Sequence, residues 1–169
     1  MIKNMNIRTE TAADLPAIRT LLQTAFRHMP HSKHNEAHIV DALRQRGELS
    51  LALIGEDNGH IIAYLAASPV TLSPSIPNWY ALGPIAVAPA WQKRGHGTAL
   101  IHAALAQLSR HAAGCVLLGD PAYYQRFGFA PHPRLTSPGF PREYFLALAW
   151  QAPPTAADVH YSPAFFITP

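Results

Sequence analysis

Ile85-Ala86-Val87-Ala88-Pro89-Ala90-Trp91-Gln92-Lys93-Arg94-Gly95-His96-Gly97-Thr98-Ala99-Leu100 joins an apolar strand, a short polar and basic turn, and a helix that begins at two glycines spaced by one residue. Glycines at such a turn let consecutive backbone N–H groups point into one concavity, and the start of a helix adds partial positive charge. Lys93 and Arg94 reinforce it, so the stretch reads as a phosphate cradle; the plainer reading is an ordinary helix entry. Two nucleotide motifs fail here. A Walker loop needs Gly-Lys-Ser/Thr at its end, and a dinucleotide fingerprint needs a third small residue where Leu100 stands.

Trp79 to Val87 is the strand feeding this turn. Gly95 to Ala112 carries Leu100, Ile101, Ala104, Leu105 and Leu108 at helical spacing, with Gly114 as its stop. Cys115 to Leu118 is a short all-apolar strand, so strand, helix and strand across 79–118 demand a right-handed parallel crossover. Upstream, Ile7 to Thr9 is a strand and Leu15, Ile18, Leu21, Leu22, Ala25 and Phe26 mark a helix near 13–28, with Pro16 tolerable in its first turn. A second helix near 34–46 ends at Gly47. Leu49 to Glu56 and His60 to Ser68 form an antiparallel pair around Asp57-Asn58-Gly59, since Asn and Gly both accept positive φ. Pro69 to Pro77 is loop chemistry. Beyond a short helix at 121–127, Tyr144 to Trp150 and Val159 to Phe166 are predicted to close the chain as a hairpin with a long connection, whose exposed edge would offer a second copy a place to pair as a homodimer. The expected fold is α/β (α+β): one domain over residues 1–169, with a mixed, mainly antiparallel sheet flanked by helices.

Composition excludes several classes. An apolar fraction of 49% with 14% charged residues is globular, and 169 residues suit a single core. No apolar stretch reaches the roughly 18 residues of a spanning helix, and Met1-Ile2-Lys3-Asn4-Met5-Asn6 is too polar for a signal peptide, so no membrane role and a soluble, cytoplasmic protein are expected. Thirteen Lys and Arg against ten Asp and Glu leave a net charge of +3, scattered rather than striped, which argues against a nucleic-acid partner. Cys115, the single cysteine, sits in an apolar run as a buried, inert thiol.

A second motif, Leu118-Gly119-Asp120-Pro121-Ala122-Tyr123-Tyr124-Gln125-Arg126-Phe127-Gly128-Phe129, joins the spacing Gln92-x-x-Gly95-x-Gly97 after Val87-Ala88-Pro89. Together they resemble the GNAT superfamily of acetyl-CoA-dependent N-acyltransferases, in a form similar to the YhbS-like acetyltransferases. The resemblance runs from Ile7 to Phe166 and is specific in the middle. It implies that the strands at 81–87 and 115–118 splay into a cleft that takes the coenzyme's pantetheine arm as an added strand, with contacts from Ile85, Ala86 and Val87. Gln92 and Lys93, with the Arg94, Gly95, His96, Gly97 and Thr98 amides, would hold the pyrophosphate of acetyl-CoA, and Asp120, Tyr123 and Phe127 would complete the coenzyme site. A backbone N–H near Val87 would stabilise the developing oxyanion as a neutral primary amine attacks directly.

Two proton transfers follow from that chemistry. Tyr124 matches the family's general acid; as a plain aromatic it would be core. Glu36, near the start of the second helix, is the candidate for attracting the amine or relaying its proton, although a carboxylate there also simply favours the helix N-terminus. Asp120 follows a buried strand at its ligand-gathering end, while Asp-Pro also starts helices. His96 replaces an aliphatic residue of the family and would touch coenzyme or solvent. His28, His31, His34 and His38 raise a metal reading, with His34 and His38 on one helix face. A zincin would need Glu where Asn35 stands, so no metal is expected. The loops near 28–36, 69–78 and 130–141 would set the acceptor, with Trp79, Tyr80 and Phe140 as candidate pocket aromatics or core packing. A non-catalytic CoA-binding sensor or interaction module is the alternative, and a His-dependent metal hydrolase a third.

Overall fold

The computed structural model describes residues 5–169; residues 1–4, most of the segment predicted to be too polar for a signal peptide, lie outside the described residues. In chain order the elements are β1 (Asn6–Thr9), α1 (Leu15–Phe26), α2 (Glu36–Gln45), β2 (Leu51–Asp57), β3 (His60–Pro69), β4 (Thr71–Ser73), β5 (Trp79–Val87), α3 (His96–Leu108), β6 (Gly114–Leu118), α4 (Pro121–Tyr124), β7 (Leu135–Thr136), β8 (Phe145–Ala149) and β9 (Ala157–His160). No helix among the described residues is long and apolar enough to cross a membrane.

The main sheet runs β1-β2-β3-β5-β6-β8, and β5 with β6 is its parallel pair. Side chains alternate across a strand, so β2 and β3 can feed two cores. Leu53, Ala63, Leu65 and Ala67 face α3 through Leu100, Ile101, Ala104 and Leu108. On the other side Ala52, Ile54, Tyr64 and Ala66 meet Ile18, Leu21, Leu22 and Val40 of α1 and α2. Burial on both faces is why β3 reads as an unbroken apolar run. The β2–β3 turn forms as the sequence predicts: Asn58 and Gly59 have φ of 49° and 79°, and Asp57 faces His60 directly. After α2 the chain stops on Gly47 at φ 70°, where Glu48 N–H reaches the Leu43 carbonyl at 2.8 Å.

Three expectations change. Tyr144–Trp150 and Val159–Phe166 do not form a hairpin. β8 pairs antiparallel with β6 in the main sheet, whereas β9 lies between β4 and β7 in a second, three-stranded sheet. The difference lies in periodicity. Phe145, Leu146 and Ala147 are buried consecutively, but in β9 only Ala157 and Val159 are. Paired on both sides, β9 offers no free edge to a second copy, and residues 163–166 form a 3-10 turn instead of a strand. The predicted loop at 69–77 contains β4, which buries Leu72 between exposed Thr71 and Ser73. Gly114 does not stop α3, which ends six residues earlier. It opens β6, where a Cβ would overlap the Trp79 ring and approach the Leu148 carbonyl oxygen to 2.8 Å.

The entry to α1 is fastened electrostatically. Arg8 donates to both Asp14 carboxylate oxygens at 2.8 and 2.9 Å, and Thr11 donates to Asp14 through both its N–H and its hydroxyl. The Arg8 guanidinium and then the Thr11 N–H hold the Asp14 carboxyl below the ordinary carboxylate range. A depressed folded-state value means this contribution is complete above about pH 4 and is lost as pH falls toward the folded value. Asp14→Asn is therefore expected to lower the melting temperature at pH 7 by more than it does at pH 3. Thermal scans at the two values check this, and an equal gap would contradict it.

Candidate active site

β5 and β6 pair only at Trp79↔Gly114, Tyr80↔Cys115 and Ala81↔Val116. Beyond Ala81 they separate. The cause lies in β5: between Ala67↔Leu82 and Leu65↔Ile85, three steps on β5 oppose two on β3, which is a bulge at Gly83-Pro84. Proline suits that place because it has no N–H to give to a ladder. The bulge turns the strand away from β6, leaving Leu82 to Ile85 and Leu117 to Leu118 as opposite walls of a cleft of about 370 Å³. β5 keeps β3 on one side and, among the described residues, has no strand partner on the other past Ala81.

Tyr124 and Glu36 line this same cleft from opposite elements, α4 and α2. Tyr124 is held edge-on by Tyr123 at 4.9 Å and Phe129 at 6.1 Å between ring centroids, and it lies so close over Gly119 that a Cβ there would overlap its ring. Burial, and secondarily Tyr123, pushes the Tyr124 phenol up to about 12, so it stays protonated at neutral pH. Glu36 opens α2 and accepts a hydrogen bond from the Ser32 hydroxyl.

A second cleft, about 380 Å³, lies at the other end of the exposed β5 edge, lined by Val87, Trp91, Gln92, Lys93, Gly95, His96, Gly97, Thr98, Tyr123 and Arg126. Lys93 and Gly95 take left-handed φ of 63° and 84°, which curls the turn, and Gln92 Nε2 donates to the Val87 carbonyl at 3.0 Å, tying that turn to the strand end. The Tyr123 hydroxyl lies 3.5 Å from Thr98 Oγ1. A concave turn with a helix start and two cationic side chains suits a doubly charged phosphate group, and an unpaired strand edge suits an amide-bearing arm.

Not every predicted site residue arrives there. Ile85 lines the first cleft and Val87 the second, but Ala86 points away into the α1–α2 core. The Arg94 guanidinium folds back over the Trp91 ring at 5.4 Å and lines neither cleft, whereas buried His96 does line the second and meets the same ring edge-on at 5.8 Å. Asp120 is spent on its helix: its carboxylate accepts from Ala122 N–H at 3.0 Å, and it lines neither cleft. Phe127 is core, packed on Tyr123 and His102. Of the three pocket aromatics, only Phe140 lines the first cleft; Trp79 is fully buried and Tyr80 stands edge-on to His111. His34, at φ 57°, precedes α2, so it shares no helix face with His38. Among the described residues no group of three His, Cys, Asp or Glu could hold a metal. Cys115 is buried, and burial pushes its thiol well above the ordinary value.

Sequence reasoning passes over Arg126, Asn35 and the C-terminal aromatics. Arg126 stacks on Tyr123 at 4.6 Å and donates to its carbonyl, a contact legible in their three-residue helical spacing. Buried Asn35 donates to the Ile167 carbonyl at 2.9 Å, pinning the C-terminal segment so that Phe165 and Phe166 roof the first cleft. No sequence signal marks that long-range bond.

The sequence model of the acetyltransferase (GNAT) family matches residues 15–129. An uncharacterized N-acetyltransferase of Escherichia coli (strain K12), YhbS, is 37% identical over 127 residues, covering 74% of this chain and 73% of its own. Among solved structures, a GNAT family acetyltransferase from Brucella melitensis in complex with acetyl-CoA is 41% identical with a TM-score of 0.84, covering 95% of this chain and 97% of that one. Escherichia coli YhbS in complex with CoA is 32% identical with a TM-score of 0.87, covering 97% and 93%.

Proposed function

We propose that this chain, which belongs to the acetyltransferase (GNAT) family, moves an acetyl group from acetyl-CoA directly to a primary amine, with residues 1–169 acting as one catalytic domain in the cytoplasm. The observation that carries the reading is the β5 edge left unpaired beyond Ala81, which runs from the glycine turn to the cleft shared by Tyr124 and Glu36. Lys93, Arg126 and the turn amides would bind the pyrophosphate, and the open edge of Ile85 to Val87 the pantetheine arm. The thioester would then lie between Tyr124 and Glu36.

There the amine nitrogen attacks the thioester carbonyl, a C–N bond forms, and the C–S bond breaks. Glu36 draws the ammonium form in and takes up the proton, directly or through water, that the amine must shed. Tyr124 donates to the leaving sulfur; Val87, the expected oxyanion donor, lines the other cleft, so a backbone N–H of β5 where it lines the first cleft would face the developing oxyanion instead. The products are an amide and free CoA thiol, with no metal involved.

Purified protein given acetyl-CoA and a mixture of primary amines is expected to release CoA thiol only when the amines are present, with acetylated amine appearing in equal amount by mass spectrometry. Thiol release to water alone, or none with any amine by protein that binds acetyl-CoA, would contradict the reading.

A further inference from the structure

Four large apolar side chains stand exposed among the described residues, Met29, Leu118, Tyr144 and Phe166, and two of them belong to the first cleft. Leu118 and Phe166 line it. Met29 is hydrogen-bonded through its backbone to Phe26 and Ser32, both lining residues, and the Tyr144 carbonyl accepts from Gly119, next to Leu118. Exposed apolar residues scattered singly need no cause, but Leu118 and Phe166 stand together at one mouth, and such an apolar rim suits an apolar ligand.

Inside the mouth the walls are aromatic and ordered. The Phe140 and Phe166 rings stack at 6.5 Å with 23° between planes, Tyr161 stands 5.8 Å from Phe140, and Phe165 meets Tyr161 edge-on at 5.1 Å. Such faces and edges favour another ring over a flexible chain. The charge is equally selective. Glu36 is the one carboxylate among the lining residues, with Lys33 and His31 beside it. A single ammonium is matched by Glu36, whereas a polycation would bring its further charges against Lys33. The cleft volume of about 370 Å³ sits at the small end for ligand sites and must also admit the acetyl end of the coenzyme.

We infer that the acceptor is a monoamine borne on a flat aromatic body, an arylalkylamine, with its nitrogen toward Glu36 and Tyr124 and its ring against Phe140 and Phe166. The inference rests on the acetyl-transfer reading of the same cleft and narrows it to a substrate class.

The test measures thiol release at saturating acetyl-CoA with 2-phenylethylamine, with hexylamine of similar length but no ring, and with spermidine. Expected kcat/KM for 2-phenylethylamine exceeds that for hexylamine by about tenfold and that for spermidine by about a hundredfold. Phe166→Ala, at a position 60% exposed and so tolerant of truncation, is expected to raise KM for 2-phenylethylamine by about fivefold with acetyl-CoA affinity unchanged. Equal or faster turnover of hexylamine or spermidine overturns the inference, as does inert 2-phenylethylamine with protein that calorimetry finds loaded with acetyl-CoA. Protein that does not bind acetyl-CoA fails at the earlier step and takes the acetyl-transfer reading down with it.

Discussion

Tyr124→Phe is expected to lower kcat by about a hundredfold or more while acetyl-CoA binds as tightly as in the parent. The substitution removes one oxygen and keeps the ring that Tyr123, Phe127 and Phe129 hold edge-on or tilted, so the walls of the cleft stay where they are. The lost oxygen matters because of its protonation. With the phenol pushed up to about 12, Tyr124 carries its proton throughout the working range and is always able to donate. Full transfer to a thiolate with an ordinary value near 8.5 would be uphill by roughly 5 kcal/mol. On the proposed mechanism Tyr124 would therefore act mainly by a hydrogen bond to sulfur, with net transfer coupled to the proton that the new ammonium releases. The pH profile carries the same mark: activity rises as the amine deprotonates and shows no alkaline fall from Tyr124 below about pH 11. A variant as fast as the parent would remove Tyr124 from the chemistry. If parent and variant alike only hold acetyl-CoA without consuming it, a binding module is the better description.

Gly97→Glu is expected to raise the KM for acetyl-CoA at least about a hundredfold in a protein that is folded and as stable as the parent. A Cβ at Gly97 meets Val87 Cγ2 at 3.5 Å and the Tyr123 hydroxyl at 3.7 Å, ordinary contacts, so Gly97→Ala changes little. The second position of α3 also favours a negative charge, because a helix start is partially positive. Fold and binding thus respond in opposite directions. The carboxylate enters the cleft that Lys93 and Arg126 line and would stand against the pyrophosphate, where two like charges at about 4 Å repel by several kcal/mol at an intermediate dielectric. Gly95 is a poorer choice for this test: at φ 84° any side chain strains the turn and confuses folding with binding. Steady-state kinetics with varied acetyl-CoA, beside a thermal scan of both proteins, measures the effect. An unchanged KM in a folded variant would put the pyrophosphate elsewhere.

Local signals carried much of this architecture into the sequence. Asn58-Gly59 announces its own turn, the three- and four-residue spacing of Leu100 to Leu108 announces α3, and Gly95-x-Gly97 after Val87 announces the second cleft. What the sequence hides is long-range. Phe145 to Ala149 could pair with any neighbour by local preference; only the consecutive burial of Phe145, Leu146 and Ala147 distinguishes a strand of the main sheet from the half-buried β9. The bulge that opens the first cleft needs β3 as a reference before the extra residue in β5 can be counted. Arg126, for which the sequence predicts no role, stands in the second cleft where Arg94 is expected, because a guanidinium stacks on whichever ring folding brings near, Trp91 for Arg94 and Tyr123 for Arg126. The helix-starting reading of Asp120 is visible in the Ala122 N–H that its carboxylate accepts.

If the glycine turn and the open β5 edge together form one coenzyme site, calorimetric titration of the purified protein with acetyl-CoA is expected to find one molecule bound per chain with micromolar affinity. No heat of binding from well-folded protein would contradict it and leave the two clefts without their common ligand.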